Sequence, residues 1–174
     1  MFDQIYLHKT KRTVKTMEYD YREGMKLANQ LCFPLYAAAR NVTGLYAPYL
    51  KDLGLTYTQY IVFLVLWERD GVSVTEIGQR LMLDNGTLSP LLKKLEQAGY
   101  IRRRRSPEDD RVVQITLTEA GRALQQKARD IPLQVAGCMD LPAEKAQQLY
   151  ELLYELLRNQ GYGQNKNPEK ETKA

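Results

Sequence analysis

The feature that most constrains the fold of this sequence is a central stretch in which two short helices are followed by two β-like segments. The first helix is predicted over residues 74–81, VTEIGQRL, where Ser73 can cap its N-terminus. The second is predicted to begin at Asp84 or Asn85, to carry leucines at helical spacing, and to end at Gly99. The segments IRRRR and RVVQITLT follow, joined by the turn-forming residues SPEDD. A helix, a turn, a helix and a two-stranded hairpin together form a winged helix-turn-helix.

The surface of this unit is predicted to bind DNA, because the second helix of a helix-turn-helix enters the major groove. The polar residues of that helix lie away from its leucines and are free to meet DNA: Asn85, Thr87, Ser89, Lys93 and Lys94. On the hairpin, Arg102 to Arg105 and Arg111 divide between two faces, so some anchor the wing and others, Arg104 among them, reach phosphate. The alternative is that these charges only solvate a surface, but the adjacent helix-turn-helix favours DNA binding.

The overall charge says little about a partner. The net charge is +4 at pH 7, but residues 1–16 alone contribute +3 of it. The rest of the chain is nearly neutral, so the prediction of DNA binding depends on where the charges lie.

Few side chains are available for metal binding or for catalysis. The chain has two cysteines and one histidine, whereas a structural zinc site normally takes four such ligands, so neither a metal nor another cofactor is expected. The histidine, His8, lies in a segment without helical pattern, which argues against a Cys–His or Ser–His catalytic pair.

No signal peptide is visible, and the longest strongly apolar run, residues 60–67, is far shorter than the roughly 20 residues that span a bilayer. A cytoplasmic protein is predicted, in which cysteines are either buried and inert or redox-active.

The apolar residues before the helix-turn-helix predict a long first helix. They recur at helical spacing from Leu27 to Tyr49. Because proline is tolerated only in the opening turns of a helix, Pro34 indicates that the regular helix begins near Asn29. Cys32 then lies in the first turn.

Three further helices are predicted. Residues 57–68 are apolar on all sides, which is typical of a buried helix. After the hairpin, Thr118 is predicted to cap a helix that runs to about Val135. Asp140, with Pro142 just inside, is predicted to open a last, leucine-rich helix.

The segment LDNGTLSPLLKKLEQAGYIRRRRSPEDDRVVQITLTEAG, residues 83–121, resembles the MarR family of winged-helix repressors. The wing signature of that family, Asp-x-Arg followed by a strand and Leu-Thr-x-x-Gly, falls on Asp109, Arg111, Leu117, Thr118 and Gly121. The resemblance implies an obligate homodimer with interleaved terminal helices, bound to a pseudo-palindromic DNA operator. It also implies that Arg111 reaches the minor groove and that Asp109 helps hold the wing. A simple salt bridge between these two side chains is the alternative.

A second resemblance concerns residues 27–68, LANQLCFPLYAAARNVTGLYAPYLKDLGLTYTQYIVFLVLWE, which look like the OhrR-type sensors of organic hydroperoxides within this family. The reactive cysteine of these sensors falls on Cys32, and the tyrosines that hydrogen-bond its thiolate fall on Tyr46 and Tyr57. A further pocket tyrosine falls on Tyr36, and Phe33 is expected to line the same pocket. The resemblance thus implies a peroxide-sensing thiol.

The residues support this chemistry independently. The thiolate is the form of cysteine that attacks a peroxide, and the N-terminal turn of a helix favours a negative charge. Cys32 and Tyr46 are 14 residues apart, which is about 21 Å along one straight helix. Tyr46 is therefore predicted to contact the Cys32 of a second subunit. The alternative is that Cys32 is a small core residue and that the tyrosines only pack against neighbours.

The second cysteine, Cys138, determines which version of the sensor is expected. It lies in the sequence GCMDLP, at the predicted break between the last two helices. One-cysteine sensors trap the sulfenic acid with a small thiol or overoxidise, whereas two-cysteine sensors form a disulfide. The resemblance implies an intersubunit disulfide between Cys32 and Cys138, with Cys138 as the resolving residue. The alternative is that Cys138 is an incidental loop residue.

These patterns predict a mainly α fold with a small β-hairpin wing, in which N- and C-terminal helices form a dimerisation domain. The predicted parts are a flexible extension (1–26), the first helix and dimerisation region (27–56), the winged helix-turn-helix domain (57–118), the C-terminal dimerisation helices (119–160) and a disordered tail (161–174).

The predicted function is that of a DNA-binding transcriptional repressor, not an enzyme, which senses organic hydroperoxides through Cys32 and then releases its operator. One alternative is a MarR-type repressor that responds to a small phenolic ligand or to another oxidant, such as hypochlorite or a quinone. A more distant alternative is a thiol peroxidase.

Overall fold

The computed structural model describes residues 20–161 of the chain. Residues 1–19 of the predicted flexible extension and residues 162–174 of the predicted tail lie outside the described residues. The described part divides into two compact units, which meet between residues 45 and 46.

The first unit is helical. It contains α1 (Tyr21–Gly24), a 3₁₀ turn (Leu27–Asn29) and α2 (Cys32–Gly44). Part of the extension that was predicted to be flexible therefore forms a short helix. Helix α2 begins at Cys32, three residues later than predicted, so the reactive position of the predicted sensor is the first residue of the helix.

The second unit contains the other helices and the strands. Their bounds in chain order are α3 (Ala47–Asp52), α4 (Tyr57–Glu68), β1 (Val72–Ser73), α5 (Val74–Leu81), α6 (Asn85–Gln97), β2 (Ile101–Arg105), β3 (Val113–Leu117), α7 (Glu119–Ala128), α8 (Ile131–Cys138) and α9 (Ala143–Asn159). The predicted fold class, mainly α with a small β wing, is confirmed.

In the winged helix-turn-helix domain of residues 57–118, here called the winged part, the helices begin at side-chain caps. Thr56 and Gln59 form a reciprocal capping box at the start of α4. Ser73 accepts a hydrogen bond from the backbone N–H of Glu76, and Asp84 accepts one from Thr87. These caps satisfy N–H groups that have no partner within the helix, and they fix where each helix starts.

The strands form an antiparallel sheet in the order β1-β3-β2. Strand β1 was not predicted, because two residues show no periodicity. It pairs with β3 on the side opposite β2, so that Val72 and Arg103 both face Ile115 across the sheet. Strand β2, which carries four consecutive arginines, is thereby left as an outer strand.

A single apolar core joins the sheet to the helix-turn-helix. Its largest fully buried side chains come from α3 to α6 and from all three strands: Leu50, Tyr60, Val62, Phe63, Leu66, Val72, Ile77, Leu88, Leu92, Leu95, Ile101 and Ile115. Leu88, Leu92 and Leu95 of α6 lie in this core, so the opposite face of the helix is turned outward.

Three predicted helix boundaries were wrong. The first long helix does not continue to Tyr49, because α2 ends at Gly44 and α3 begins at Ala47. The helix capped by Thr118 ends at Ala128. Asp140 caps nothing: it has a left-handed backbone conformation with φ of 46°, and α9 begins after Pro142. Among the described helices, none combines the length and the apolar character needed to cross a membrane.

Candidate DNA-binding and redox sites

The predicted DNA-reading residues of α6 share one exposed face. Three leucines of the same helix, Leu88, Leu92 and Leu95, are buried. The predicted residues are all exposed: Asn85, Thr87, Ser89, Lys93 and Lys94. Pro90 lies inside the helix without ending it. The face that carries these polar groups is therefore available to a ligand as large as DNA.

The N-terminus of α6 is held by the carboxylate of Asp84. Its two oxygens accept hydrogen bonds from the backbone N–H and the hydroxyl of Thr87, both at 2.9 Å. The backbone bond from Thr87 is the largest cause that lowers the pKa of Asp84, followed by the hydroxyl bond. The first turn, which carries Asn85 and Thr87 of the predicted DNA-binding residues, is thus fixed by an ionised cap.

The arginines of β2 differ in exposure, although not by strict alternation along the strand. Arg102, Arg104 and Arg105 are exposed, whereas Arg103 is half-buried. The backbone N–H of Arg103 donates to the carboxylate of Glu96 at 3.1 Å. This bond connects the outer strand to the last turns of α6, so the wing and the reading helix are joined directly.

The tip of the wing is a tight turn built on Asp109. Its carboxylate accepts a hydrogen bond from the backbone N–H of Arg111 at 2.9 Å, and its carbonyl accepts one from Val112 at 2.9 Å. Arg105 closes the turn by donating to the carbonyl of Asp110 at 2.9 Å. Among the ion pairs of residues 20–161, none joins the side chains of Asp109 and Arg111. The carboxylate therefore holds the backbone of the turn, and the exposed guanidinium of Arg111 extends from it.

Two residues that support the wing were missed in the sequence. Asp70 accepts hydrogen bonds from the N–H groups of Gly71 (2.9 Å) and Leu117 (2.8 Å), and it pairs with Arg122 at 2.5 Å. The indole of Trp67 donates to the carbonyl of Gly121 at 3.1 Å. Apart from the bond to Gly71, these contacts join residues about 50 positions apart, so no local sequence pattern predicts them.

The Leu-Thr-x-x-Gly signature has a physical cause in this structure. The hydroxyl of Thr118 accepts from the N–H of Gly121 at 3.1 Å and donates to the carbonyl of Gly99 at 2.7 Å. A Cβ atom at Gly121 would overlap the carbonyl of Tyr100. The threonine and the glycine together let α7 start against the end of α6.

The thiol of Cys32 lies at the first residue of α2 and is exposed. Its sulfur is 3.9 Å from the side-chain oxygen of Gln30. Phe33 and Tyr36, which were predicted to line the peroxide pocket, are also exposed. The position therefore combines a free thiol, a helix N-terminus and large apolar side chains.

The structure brings together the two tyrosines predicted to bind the thiolate. The rings of Tyr46 and Tyr57 meet edge to face with centroids 4.9 Å apart, and Tyr60 lies 5.6 Å from Tyr46. Burial raises the pKa of Tyr46, and burial followed by the proximity of Tyr46 raises the pKa of Tyr57. Both hydroxyls therefore remain protonated at neutral pH and can act as hydrogen-bond donors.

Cys138 is the last residue of α8 and is an exposed, free thiol. Residue 140, in the link to α9, has the left-handed conformation that often ends a helix. Within residues 20–161, no cluster of three or more His, Cys, Asp or Glu side chains is arranged to bind a metal. The chemistry available at both cysteines is that of the thiol.

The fold and its basic outer face define a winged helix-turn-helix DNA-binding regulator. Residues 44–128 match a family described as the transcriptional regulator SarA/Rot. The chain is also 50% identical over 133 residues to the organic hydroperoxide resistance transcriptional regulator of Bacillus subtilis, which covers 76% of this chain and 90% of that protein. The chain belongs to the OhrR-type regulators of the MarR family.

Solved structures of AbfR from Staphylococcus epidermidis share this fold. Reduced AbfR bound to DNA is 39% identical, covers 80% of this chain and 97% of its own, and has a TM-score of 0.65. A disulfide form of AbfR is 38% identical, covers 80% and 92%, and has a TM-score of 0.51. The fold of this chain is thus found in a protein that binds DNA and in which a disulfide forms.

Proposed function

We propose that this chain is a homodimeric transcriptional repressor that senses organic hydroperoxides by oxidation of Cys32 and then releases its DNA operator. The observation that carries the proposal is the exposed Cys32 thiol at the first residue of α2, in a chain half identical to a regulator of organic hydroperoxide resistance. The first N–H groups of a helix have no partner within it, so they are free to donate hydrogen bonds to a negatively charged group at this end of α2.

The sensing step is a two-electron oxidation of sulfur. The Cys32 thiolate attacks one oxygen of the hydroperoxide, the O–O bond breaks, and the alkoxide leaves and takes up a proton to become an alcohol. The sulfur becomes a sulfenic acid. The thiol is consumed in this step, so the protein reacts once per chain until a reductant restores it.

Tyr46 and Tyr57 are the proposed donors to the thiolate. Their hydroxyls remain protonated, and their rings are in contact, so both can converge on one sulfur. Helix α2 has 13 residues, which puts about 18 Å between Cys32 and Gly44 along its axis. For this reason we assign the donors to the Cys32 of a second copy, with Phe33 and Tyr36 lining the approach of an apolar hydroperoxide.

The proposed dimer is supported by the apolar side chains that the C-terminal helices leave exposed. None of the 17 residues of α9 is buried, and Leu149 and Leu152 are 47% and 63% exposed. Leu133 of α8 is 78% exposed. Monomeric proteins rarely leave an apolar stripe of this kind in water. A second copy of the chain would cover it.

In the proposed complex, each copy places the N-terminal end of α6 in the major groove. Arg111 extends from the wing tip towards the minor groove, and Lys93, Lys94 and Arg104 neutralise phosphates. The contact between Glu96 and β2 keeps the helix and the wing in one orientation, so both engage the same half-site.

Release follows from a change in the spacing of the two winged parts. A dimer reads two half-sites about 34–36 Å apart, and a disulfide between Cys32 and the Cys138 of the other copy would alter that distance. The dimer interface is the element with two arrangements, and oxidation of Cys32 selects between them.

A gel-shift experiment on the DNA upstream of the gene for this chain tests the proposal. Cumene hydroperoxide is expected to release DNA from the parent protein and to leave Cys32→Ser bound. Arg111→Ala is expected to bind weakly before any treatment, which ties the shift to the wing. Release of Cys32→Ser at the same peroxide concentration would contradict the proposal and favour a small-molecule ligand.

Two further measurements separate the finer parts of this function. On a non-reducing gel, peroxide is expected to produce a covalent dimer from the parent and none from Cys138→Ser. A stoichiometric burst of peroxide consumption is expected when a dithiol is present in excess. Steady turnover at many equivalents per chain would instead indicate a thiol peroxidase.

A further inference from the structure

The second cysteine has a partner that the sensor chemistry described above does not use. The hydroxyl of Tyr49, on α3, lies 4.0 Å from the sulfur of Cys138, at the end of α8. The two residues are 89 positions apart in the sequence. Within hydrogen-bonding range of sulfur, the hydroxyl can donate to a thiolate or accept from a thiol.

Buried neighbours hold both ends of this contact. Leu50, which follows Tyr49 on α3, is 1% exposed. On α8, Val135 is also 1% exposed, and it lies three residues before Cys138, hence on the same face of the helix. The hydroxyl and the sulfur are thus brought together by the packing of two helices, although both lie at the surface.

We propose that Tyr49 is a positioning residue for the resolving thiol: its hydroxyl orients the sulfur of Cys138 and stabilises the thiolate that attacks the sulfenic acid of Cys32. The inference rests on the proposed function, because it assigns a role within the disulfide-forming step. It adds a residue on α3 to a reaction otherwise carried by two cysteines.

The protonation state of Tyr49 fits this role. The hydrogen bond with Cys138 is the largest cause that raises the pKa of Tyr49, followed by the charge of the same thiolate and by burial. The phenol therefore remains protonated at neutral pH, and it is the donor when the cysteine loses its proton.

The resolving step is a nucleophilic displacement at the sulfenic sulfur of Cys32. The Cys138 thiolate attacks the sulfur of the Cys32 sulfenic acid, an S–S bond forms, and the S–O bond breaks. Hydroxide leaves and takes up a proton to become water. The Cys138 sulfur is oxidised, the sulfenic sulfur is reduced by the same amount, and the phenol of Tyr49 keeps its proton throughout.

The first test isolates the contact from the sensing reaction. The chain has two cysteines, so Cys32→Ser leaves Cys138 as its only thiol. In that background, Tyr49→Phe is expected to slow the alkylation of Cys138 by iodoacetamide about threefold at pH 7.5. Tyr21→Phe, which removes the hydroxyl of another exposed tyrosine, is the matched control and is expected to match the background. Equal rates in the Tyr49 and Tyr21 variants would overturn the inference, whether or not the protein senses peroxide.

The second test follows the two steps in the protein with both cysteines. After one addition of cumene hydroperoxide, the sulfenic acid is trapped with dimedone and the disulfide is counted by mass spectrometry. Tyr49→Phe is expected to lower the rate of disulfide formation about threefold relative to sulfenic acid formation. An unchanged ratio would overturn the role of Tyr49 in the resolving step. Failure of the parent to form any sulfenic acid would instead contradict the proposed function, and the alkylation result would stand apart from it.

Discussion

Helices α4 and α9 belong to the same unit, yet they differ in whether their apolar side chains are buried within the chain. Helix α4 buries Tyr60, Val62, Phe63, Val65 and Leu66 within a single chain. Helix α9 is five residues longer and buries none of its residues. The sequences account for the difference: α4 is apolar on all sides, whereas α9 has one apolar stripe and a charged opposite face.

This comparison shows that the chain contains two kinds of structure. The winged part completes its own core, and its stability depends on contacts within the chain. The C-terminal helices leave apolar surface exposed, and in the proposed dimer a second copy covers it, so their contribution to stability is expected to depend on protein concentration. Substitutions in the two regions are expected to differ in kind as well as in size.

The largest effect is expected in the core of the winged part. Phe63 is fully buried and contacts the rings of Trp67 and Tyr100. Phe63→Ala is expected to lower the free energy of unfolding by about 3–5 kcal/mol, through lost burial and the cavity left behind. Urea unfolding followed by circular dichroism measures it. A loss below about 1 kcal/mol would show that the core of this part is not closed within the chain.

The same substitution, glycine to alanine, is expected to have opposite effects on stability at a close-packed site and at an open one. Gly121→Ala is expected to cost about 1–3 kcal/mol, because its Cβ would overlap the backbone carbonyl of Tyr100. Gly137→Ala, in α8, meets nothing within 4 Å and is expected to stabilise by about 0.4–1 kcal/mol through the unfolded state. Thermal unfolding of both variants gives the difference. Equal effects would remove the distinction between the close-packed junction and the open helix.

On α9, the expected effect is on association. Leu152→Gln is expected to weaken self-association about tenfold, while the unfolding free energy of dilute protein changes by less than about 0.5 kcal/mol. Sedimentation velocity over a range of concentrations measures the first quantity. Glu151→Gln, on the charged side of the same helix, is the control. Unchanged association of Leu152→Gln would mean that the apolar stripe of α9 is not the proposed interface.

The smallest effect concerns a helix cap, and it is present at neutral pH and lost in acid. The folded-state pKa of Asp84 is lowered, so the charged cap stabilises the folded chain above the ordinary pKa of an aspartate, and this contribution is lost as the pH falls through the lowered value. Asp84→Asn keeps a capping oxygen without the charge. The melting temperatures of parent and variant are expected to converge as the pH falls below about 4, the ordinary pKa of an aspartate, which calorimetry would show. A constant difference would mean that the charge of Asp84 does not stabilise α6. Helix α9, which has no side-chain cap at Pro142, offers no corresponding site.

The helices of the winged part could be predicted because the residues that cap them lie within a few positions of the helix start. Ser73, Asp84 and Thr118 each accept the N–H of the residue three positions ahead, and each precedes an apolar stripe. Such signals need no knowledge of the rest of the chain. The start of α4 and the left-handed Gly99 belong to the same class.

The missed breaks have the opposite cause. Apolar spacing continues across residues 45–46 and 129–130, so periodicity alone joins α2 to α3 and α7 to α8. The available signal was a proline in each following helix, Pro48 and Pro132, which lie in the opening turns. Like Pro34, these two prolines each mark the start of a helix.

Contacts between distant residues could not be predicted. Strand β1 exists only because β3 lies beside it, and Asp70 joins elements that are far apart in the sequence. The resemblance named Tyr46 and Tyr57, but only the folded chain shows their ring contact and the approach of Tyr49 to Cys138. The roles assigned to these residues stay predictions.

The position of β2 at the edge of the sheet also bears on whether wings of different molecules can pair. An outer strand has unpaired N–H and C=O groups, which are a template for sheet extension and aggregation. On this strand Glu96 satisfies one such N–H group, and four consecutive arginines put like charges along the open side. Two wings that approached edge to edge would bring both sets of guanidiniums together. The charge that is proposed to neutralise phosphates is therefore also expected to keep the wings of different molecules from joining into a continuous sheet.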